Sequence, residues 1–227
     1  MKLKTPRDIH SEETRLKILN TTEKLMSEYG VEALTVKNLC EAAGISNGTF
    51  FHYFSSKDTL ISEYMQFMYD KYCLDSPIPE DDSDFVMNVI APHIHNISFA
   101  KQLGVEFTRC YYNINNPSLH NRGNLHAESY SRYILAQVKK AQSAGYIYPQ
   151  LNPEAISADV CMVAKGVIFE WGLCGDSFDV EAYLLKMLQI YLSTVVTDAY
   201  VRAFPETLNY SAQTDSTLLP SYRAFGT

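Results

Sequence analysis

The chain has 227 residues, enough for a small domain followed by a larger one, each with a core of its own. Its formal charge of −7 speaks against a nucleic-acid partner when read over the whole length. The first sixty residues, however, hold eight basic and eight acidic side chains, so the acidic excess is confined to residues 61–227. Five scattered cysteines without a Cys-x-x-Cys pair (Cys40, Cys73, Cys110, Cys161 and Cys174) exclude a disulfide framework. The most apolar run, residues 160–173, is broken by Lys165 and Glu170, which excludes a membrane-spanning helix. With nothing at the N-terminus resembling a signal peptide, a cytoplasmic protein is expected.

The first predicted helix covers residues 14–29, where Ile18, Leu19, Thr22, Leu25, Met26 and Tyr29 recur at the spacing of one buried stripe and Gly30 ends it. Ahead of it, Lys2, Lys4 and Arg7 are expected on a loose basic arm. A second, short helix opens at Thr35, whose hydroxyl can cap exposed amides, and carries apolar Val36, Leu39, Cys40 and Ala43. Gly44 supplies the left-handed backbone of a tight turn, with Ile45 plugging the space between crossing helices. Ser46 then caps a third helix in which Phe50 and Phe54 share one face, leaving Asn47, Gly48, Thr49, Phe51, His52 and Tyr53 for the others. Exposed polar and aromatic groups around a glycine suit close approach to a DNA backbone and groove. Three helices within about fifty residues, the third exposed, have the layout of a helix-turn-helix domain.

The run from Ile18 to Gly30, the pair Thr35-Val36 and the segment Gly44-Ile-Ser-Asn-Gly-Thr-Phe-Phe-His-Tyr-Phe-Ser-Ser-Lys57 together resemble the signature of the tetracycline-repressor (TetR) family over residues 11–62. Beyond residue 60 the resemblance is one of helical layout. It implies an all-α fold: a helix-turn-helix DNA-binding domain at residues 1–60, a larger helical domain for ligand binding and dimerisation at 61–204, and a tail at 205–227. It implies that Asn47, Gly48 and Phe51 read base edges in the major groove, while Thr35, Ser46, Thr49, His52, Tyr53 and Lys57, with Lys37 nearby, hold phosphates. Two positions depart from the family's common residues. Phe51 stands where tyrosine is usual and can touch a thymine methyl without donating a hydrogen bond; Asn47 stands where lysine is common and favours paired contact with adenine. Lys57 lies in the first turn of the next helix, where a cation opposes the helix dipole unless an anion such as a DNA phosphate sits close by.

The fourth helix, starting at Lys57, spaces Leu60, Tyr64, Phe67, Met68 and Cys73 along one stripe before Asp75-Ser-Pro-Ile-Pro breaks it. Helices are expected next over 84–97, 99–113 (ended by Asn115-Asn-Pro-Ser) and 125–143. The last two, 153–172 and 180–204, carry the stripes Ile156, Val160, Val163, Val167, Trp171 and Tyr183, Leu184, Met187, Leu188, Tyr191, Leu192, Val195. Val160, Val163, Val167, Trp171, Met187, Leu188, Tyr191 and Val195 are the candidate dimer interface, as a four-helix contact across a two-fold axis; periodicity alone equally allows both stripes to bury within one chain. The candidate effector pocket takes Tyr64, Phe67, Met68, Met87, Ile90, Leu103, Phe107, Tyr111, Tyr130, Tyr133, Ile134 and Phe169, apolar residues on several helices. Glu106, Arg109 and Glu170 beside these stripes are expected to pair. The tail either drapes over the body through Leu208, Tyr210, Leu218, Leu219 and Tyr222 or ends as a loosely ordered terminus.

His93 and His95, two apart on a helix, point to different faces and lack a third ligand, so no metal site and no cofactor is expected. Nucleophile-elbow, Walker, dinucleotide-binding and His-Glu-x-x-His patterns are missing, which argues against an enzyme. A helical hydrolase using Cys110 or a His/Asp pair is the alternative from another class, and turnover lost on Cys110→Ala would be its evidence. The function expected is therefore a homodimeric DNA-binding regulator, a repressor that binds a palindromic operator and is released by a small apolar or aromatic effector. The alternative within the same fold is control by a protein partner.

Overall fold

The computed structural model describes residues 5–78, 81–112, 125–175 and 177–208, the side chains of 125–129 excepted. Its helices are α1 (Pro6–Tyr29), α2 (Val36–Ala43), α3 (Asn47–Tyr53), α4 (Lys57–Asp75), α5 (Met87–Leu103), α6 (Val105–Tyr111), α7 (Leu125–Ser143), α8 (Pro153–Cys174), α9 (Val180–Ser193) and α10 (Asp198–Ala203). A single 3-10 turn, Val31–Ala33, joins α1 to α2, and no strand occurs among the described residues. The all-α expectation holds.

The chain divides into two compact units. The first runs to Asp75 and includes residues 110–121, of which 110–112 are described; it therefore takes in α4, past the boundary at residue 60. Its core is Ile18, Leu19, Leu34, Leu39, Phe50, Phe54, Leu60 and Ile61, all at most 2 % exposed. Ion pairs from Arg15 to Glu63, and from Lys71 to Glu23 at 3.3 Å, tie α1 to α4. α1 starts well ahead of its apolar stripe. Thr5 and Asp8 cap each other's backbone amides and Pro6 occupies the first helical position, so the helix begins at Pro6 and Arg7 lies inside it rather than on a loose arm. Lys2 and Lys4 fall outside the described residues.

In the second unit α8 packs between α7 and α9, with α5 against α7, α8 and α9. The predicted break near Ser98 is absent. α5 runs on to Leu103 with Pro92 within it, and the chain turns instead at Gly104 (φ 86°), whose N–H donates to the carbonyls of Ala100 and Lys101. The final predicted helix is also two: α9 stops at Ser193, and Thr197 caps α10 by accepting from the Tyr200 N–H. Between them Thr194 and Val195 turn out of α9 and Val196 bridges Ile147 in the 144–148 turn, with Tyr148 N–H donating to Val195 C=O at 3.1 Å and Thr197 N–H to Tyr146 C=O at 2.9 Å. Tyr146, Tyr200 and Phe204 stack edgewise or tilted below this bridge, with ring centroids 5.2–5.6 Å apart.

Buried Asp84 joins the two ends of this unit. Its Oδ1 accepts from the Met87 N–H that opens α5 and from the Tyr200 hydroxyl, both at 2.9 Å, and its Oδ2 accepts from the Thr207 hydroxyl at 2.8 Å. Arg109 pairs with Glu106 at 2.6 Å and donates to the Gly172 carbonyl, and at 3.4 Å to that of Leu173, so its cation sits at the negative end of α8. Glu170 accepts from the Cys174 thiol at 3.1 Å. Of the tail, residues 205–208 are described; Tyr210, Leu218, Leu219 and Tyr222 fall outside the described residues, as does the Asn115-Asn-Pro-Ser segment.

Candidate nucleic-acid interface

The α2–turn–α3 segment is built by caps. Thr35 Oγ1 accepts from the Asn38 N–H at 3.1 Å to start α2, and Asn38 Nδ2 donates to Ala33 C=O at 3.0 Å to fix the approach. Gly44 adopts the left-handed conformation (φ 61°, ψ 42°) and Ile45 N–H returns to Cys40 C=O at 3.0 Å, closing α2 and turning the chain. Ser46 Oγ accepts from the Thr49 N–H at 3.0 Å to start α3.

Burial sorts the faces of α3. Phe50 and Phe54 are wholly buried, 5.8 Å apart by ring centroid, and anchor the helix from below. Asn47, Gly48, Phe51 and His52 are exposed, and Thr49 and Tyr53 are half-buried. Phe51 is 54 % exposed, yet its orientation is held by an edge contact with Phe50, centroids 5.3 Å apart at 86°. His52 and Tyr53 make a similar edge pair at 5.1 Å. These contacts present an ordered apolar ring and an amide at the open face of a seven-residue helix.

Gly48 is the informative position. A Cβ built on it would meet only Ser46 Oγ, at 3.6 Å, an ordinary van der Waals distance. Nothing inside the chain requires glycine here, and its helical conformation would suit alanine better by about 1 kcal/mol. The missing side chain leaves room on the outside, where a groove or backbone of a partner can come close.

Around this face lie the groups expected to hold phosphates. The Thr35 hydroxyl accepts its cap bond and keeps its own proton to donate outward. Ser46 and Thr49 hydroxyls share one hydrogen bond at 2.9 Å, so one of their two protons remains for a partner. Lys37 is exposed and only loosely paired with Glu41, at 4.0 Å. Lys57, half-buried, opens α4 after Ser56, whose Oγ accepts the Thr59 N–H at 3.1 Å; it has no ion-pair partner among the described residues. A cation at a helix start, beside free amides, makes a place for an anion.

The other candidate residues distribute differently from expectation. Tyr64, Phe67, Met68 and Tyr111 belong to the first unit, where Tyr64 is 2 % exposed and the Lys71 ammonium sits 5.3 Å from the Phe67 ring centre. In the second unit Ile90, Phe107 and Ile134 are buried and Met87, Leu103, Tyr130 and Tyr133 half-buried, but Phe169 lies half-exposed on the outer side of α8 and so lines no interior. Of the dimer candidates, Val160, Val167, Trp171, Leu188 and Val195 are covered by their own chain, while Val163, Met187 and Tyr191 are half-buried. Val195 is moreover in the turn after α9 rather than on a helix. The apolar side chains left open are on the opposite faces: Met162, Phe169 and Leu173 of α8, which share a stripe at i, i+7, i+11, and Ile190 of α9. The longer apolar stripe of each helix is thus the core stripe, and the shorter one, legible in the same residues, is the open one. No cluster of three potential metal ligands occurs among the described residues, and none of their helices is long and apolar enough to cross a membrane.

Residues 18–64 match the model for bacterial regulatory proteins of the tetR family. The chain is similar to the HTH-type transcriptional regulator UidR of Escherichia coli (strain K12), with 24% identity over 68% of this chain and 80% of that protein. It is similar over a shorter stretch to the HTH-type transcriptional repressor KstR2 of Rhodococcus jostii, with 35% identity over 23% of this chain and 26% of that one. Among solved structures, native NalD of Pseudomonas aeruginosa, the secondary repressor of the MexAB-OprM multidrug efflux pump, superposes with a TM-score of 0.58 at 17% identity, covering 82% of this chain and 99% of its own.

Proposed function

We propose that this chain, which belongs to the TetR family of transcriptional regulators, is a cytoplasmic repressor that binds a palindromic operator as a homodimer and is released when a small, apolar or aromatic effector occupies its second unit. The observation that carries the DNA-reading part is Gly48: a glycine with no internal cause, flanked on the exposed face of α3 by Asn47 and Phe51. In the major groove Asn47 pairs with an adenine edge and Phe51 packs on a thymine methyl. Thr35, Lys37, Ser46, Thr49, His52, Tyr53 and Lys57 hold the flanking phosphates and set the register.

Two such heads reach two half-sites only if they are about 34–36 Å apart. The open stripe Met162, Phe169, Leu173, with Ile190 alongside, supports a second copy as the cover for α8 and α9. Release then requires an effector that prefers the conformation with wrongly spaced heads, a coupling of about 1–3 kcal/mol in this kind of switch.

The test uses Gly48→Ala and the DNA upstream of the protein's own gene, with binding followed by fluorescence anisotropy at fixed salt. The variant is expected to be as stable as the parent or more so by about 1 kcal/mol, and to bind the operator more weakly. Unchanged operator affinity in a folded Gly48→Ala protein sinks this reading of α3.

A further inference from the structure

The second unit contains a polar group whose bonding is incomplete. His93 lies on the buried face of α5 between Ile90 and Ile97, which are 1% and 2% exposed, and is itself 3% exposed. Its Nδ1 is 2.6 Å from the hydroxyl of Tyr130 on α7, with the two rings edge to face at 5.3 Å. Its Nε2 is buried and has no hydrogen-bond partner among the described residues. Three buried polar residues of the same unit have their bonds: Asp84 takes three donors, Asn88 donates to the Asp81 carbonyl at 2.7 Å and Thr108 to the Gly104 carbonyl at 3.0 Å. Leaving one nitrogen of a buried imidazole unmet costs stability, and such sites persist where something else completes them.

We propose that His93 Nε2, held in orientation by Tyr130, is the anchor for a single hydroxyl oxygen on an otherwise apolar, uncharged effector. A hydroxyl both donates and accepts, so it matches Nε2 whichever ring nitrogen carries the proton. An anionic effector is disfavoured, because burial pulls the His93 pKa down to about 4 and leaves the ring neutral, with no cation to offer a carboxylate. Apolar surface around one directional bond gives selectivity of the kind that separates a hydroxylated molecule from its methyl analogue. This deepens the reading of the second unit as the effector domain and rests on it.

Binding of matched pairs to the full-length protein, without DNA, tests the anchor by titration calorimetry: phenol against toluene, 1-naphthol against 1-methylnaphthalene, and 4-phenylphenol against 4-methylbiphenyl. At least one hydroxyl member is expected to bind roughly tenfold tighter than its partner. His93→Asn retains a group at the Nδ1 position for Tyr130 but nothing at Nε2, and is expected to abolish that preference. His93→Gln reaches the Nε2 position and is expected to keep part of it. His93→Leu is expected to lose the preference while gaining thermal stability. No discrimination in any pair, or discrimination that survives in His93→Asn, overturns the assignment. Release of operator DNA is measured separately. A His93-dependent ligand that fails to release DNA leaves the anchor standing and refutes the effector-controlled repressor; an effector that releases DNA equally from His93→Asn does the reverse.

Discussion

The two units of this chain use the same residue types for opposite ends. In α3 two phenylalanines, Phe50 and Phe54, are fully buried, and a third between them is 54 % exposed. In the second unit the aromatic cluster Tyr146, Tyr200 and Phe204 is spent on joining the 144–148 turn to α10, and buried Asp84, Asn88 and Thr108 are satisfied from within. A feature with no internal cause therefore means more than a feature that merely looks functional. Gly48 and Phe51 in the head, and His93 Nε2 in the body, are such features; the aromatic residues of the second unit mostly are not.

Substitutions can sharpen that contrast, beginning with the largest effect. Phe50→Ala empties a fully buried site beneath α3 and should destabilise the first unit by about 3–5 kcal/mol in denaturant unfolding, with operator binding lost as a consequence. Phe51→Ala, one residue on, should leave unfolding within about 0.5 kcal/mol of the parent and still weaken the operator by about 1–3 kcal/mol. Equal stability losses for the two would erase the division between core and reading face.

Acid provides the next comparison. The His93 pKa falls from its ordinary 6.5 to about 4 on folding through burial, so the unfolded chain takes up this proton first. Stability from the buried neutral ring is complete above pH 6.5 and declines as pH falls toward 4, by about 3 kcal/mol in all. Unfolding measured from pH 7 to pH 4 should show a shallower decline in His93→Leu than in the parent. Identical slopes would mean that the ring is not buried neutral.

The smallest effect concerns phosphates. Lys57→Gln should lower operator affinity nearly uniformly across sequences and reduce the slope of log K against log salt by about 0.9. A changed sequence preference with an unchanged slope would place Lys57 at a base instead.

Local chemistry made the head legible. Thr35, Gly44 and Ser46 each have one structural job, and caps are written in adjacent residues, so α2, the turn and α3 could be placed from the sequence; so could α7, at residues 125–143. The same kind of signal stands at Thr5-Pro6 and at Gly104, where the apolar stripes on either side outweigh it in a reading by periodicity. The α9–α10 break was harder, because Val195 and Val196 continue the apolar period of α9, and what stops the helix is a partner at residues 146–148 far away in sequence. Tertiary contacts also decided which stripe of α8 stays open. Periodicity identified a buried face on α8 and α9 correctly, but cannot say whether a neighbour in the same chain or in another covers it. Val160 and Leu188, both 0% exposed, have their neighbours at home, whereas Met162, at 69 %, does not.

The three-way grip on Asp84 has a practical side. A carboxylate that is 4 % exposed and takes one of its bonds from Thr207 makes residues 204–207 part of the folded body. Cutting back past Thr207 strips a donor from a buried anion, at about 1–3 kcal/mol, right where the helix that carries His93 begins.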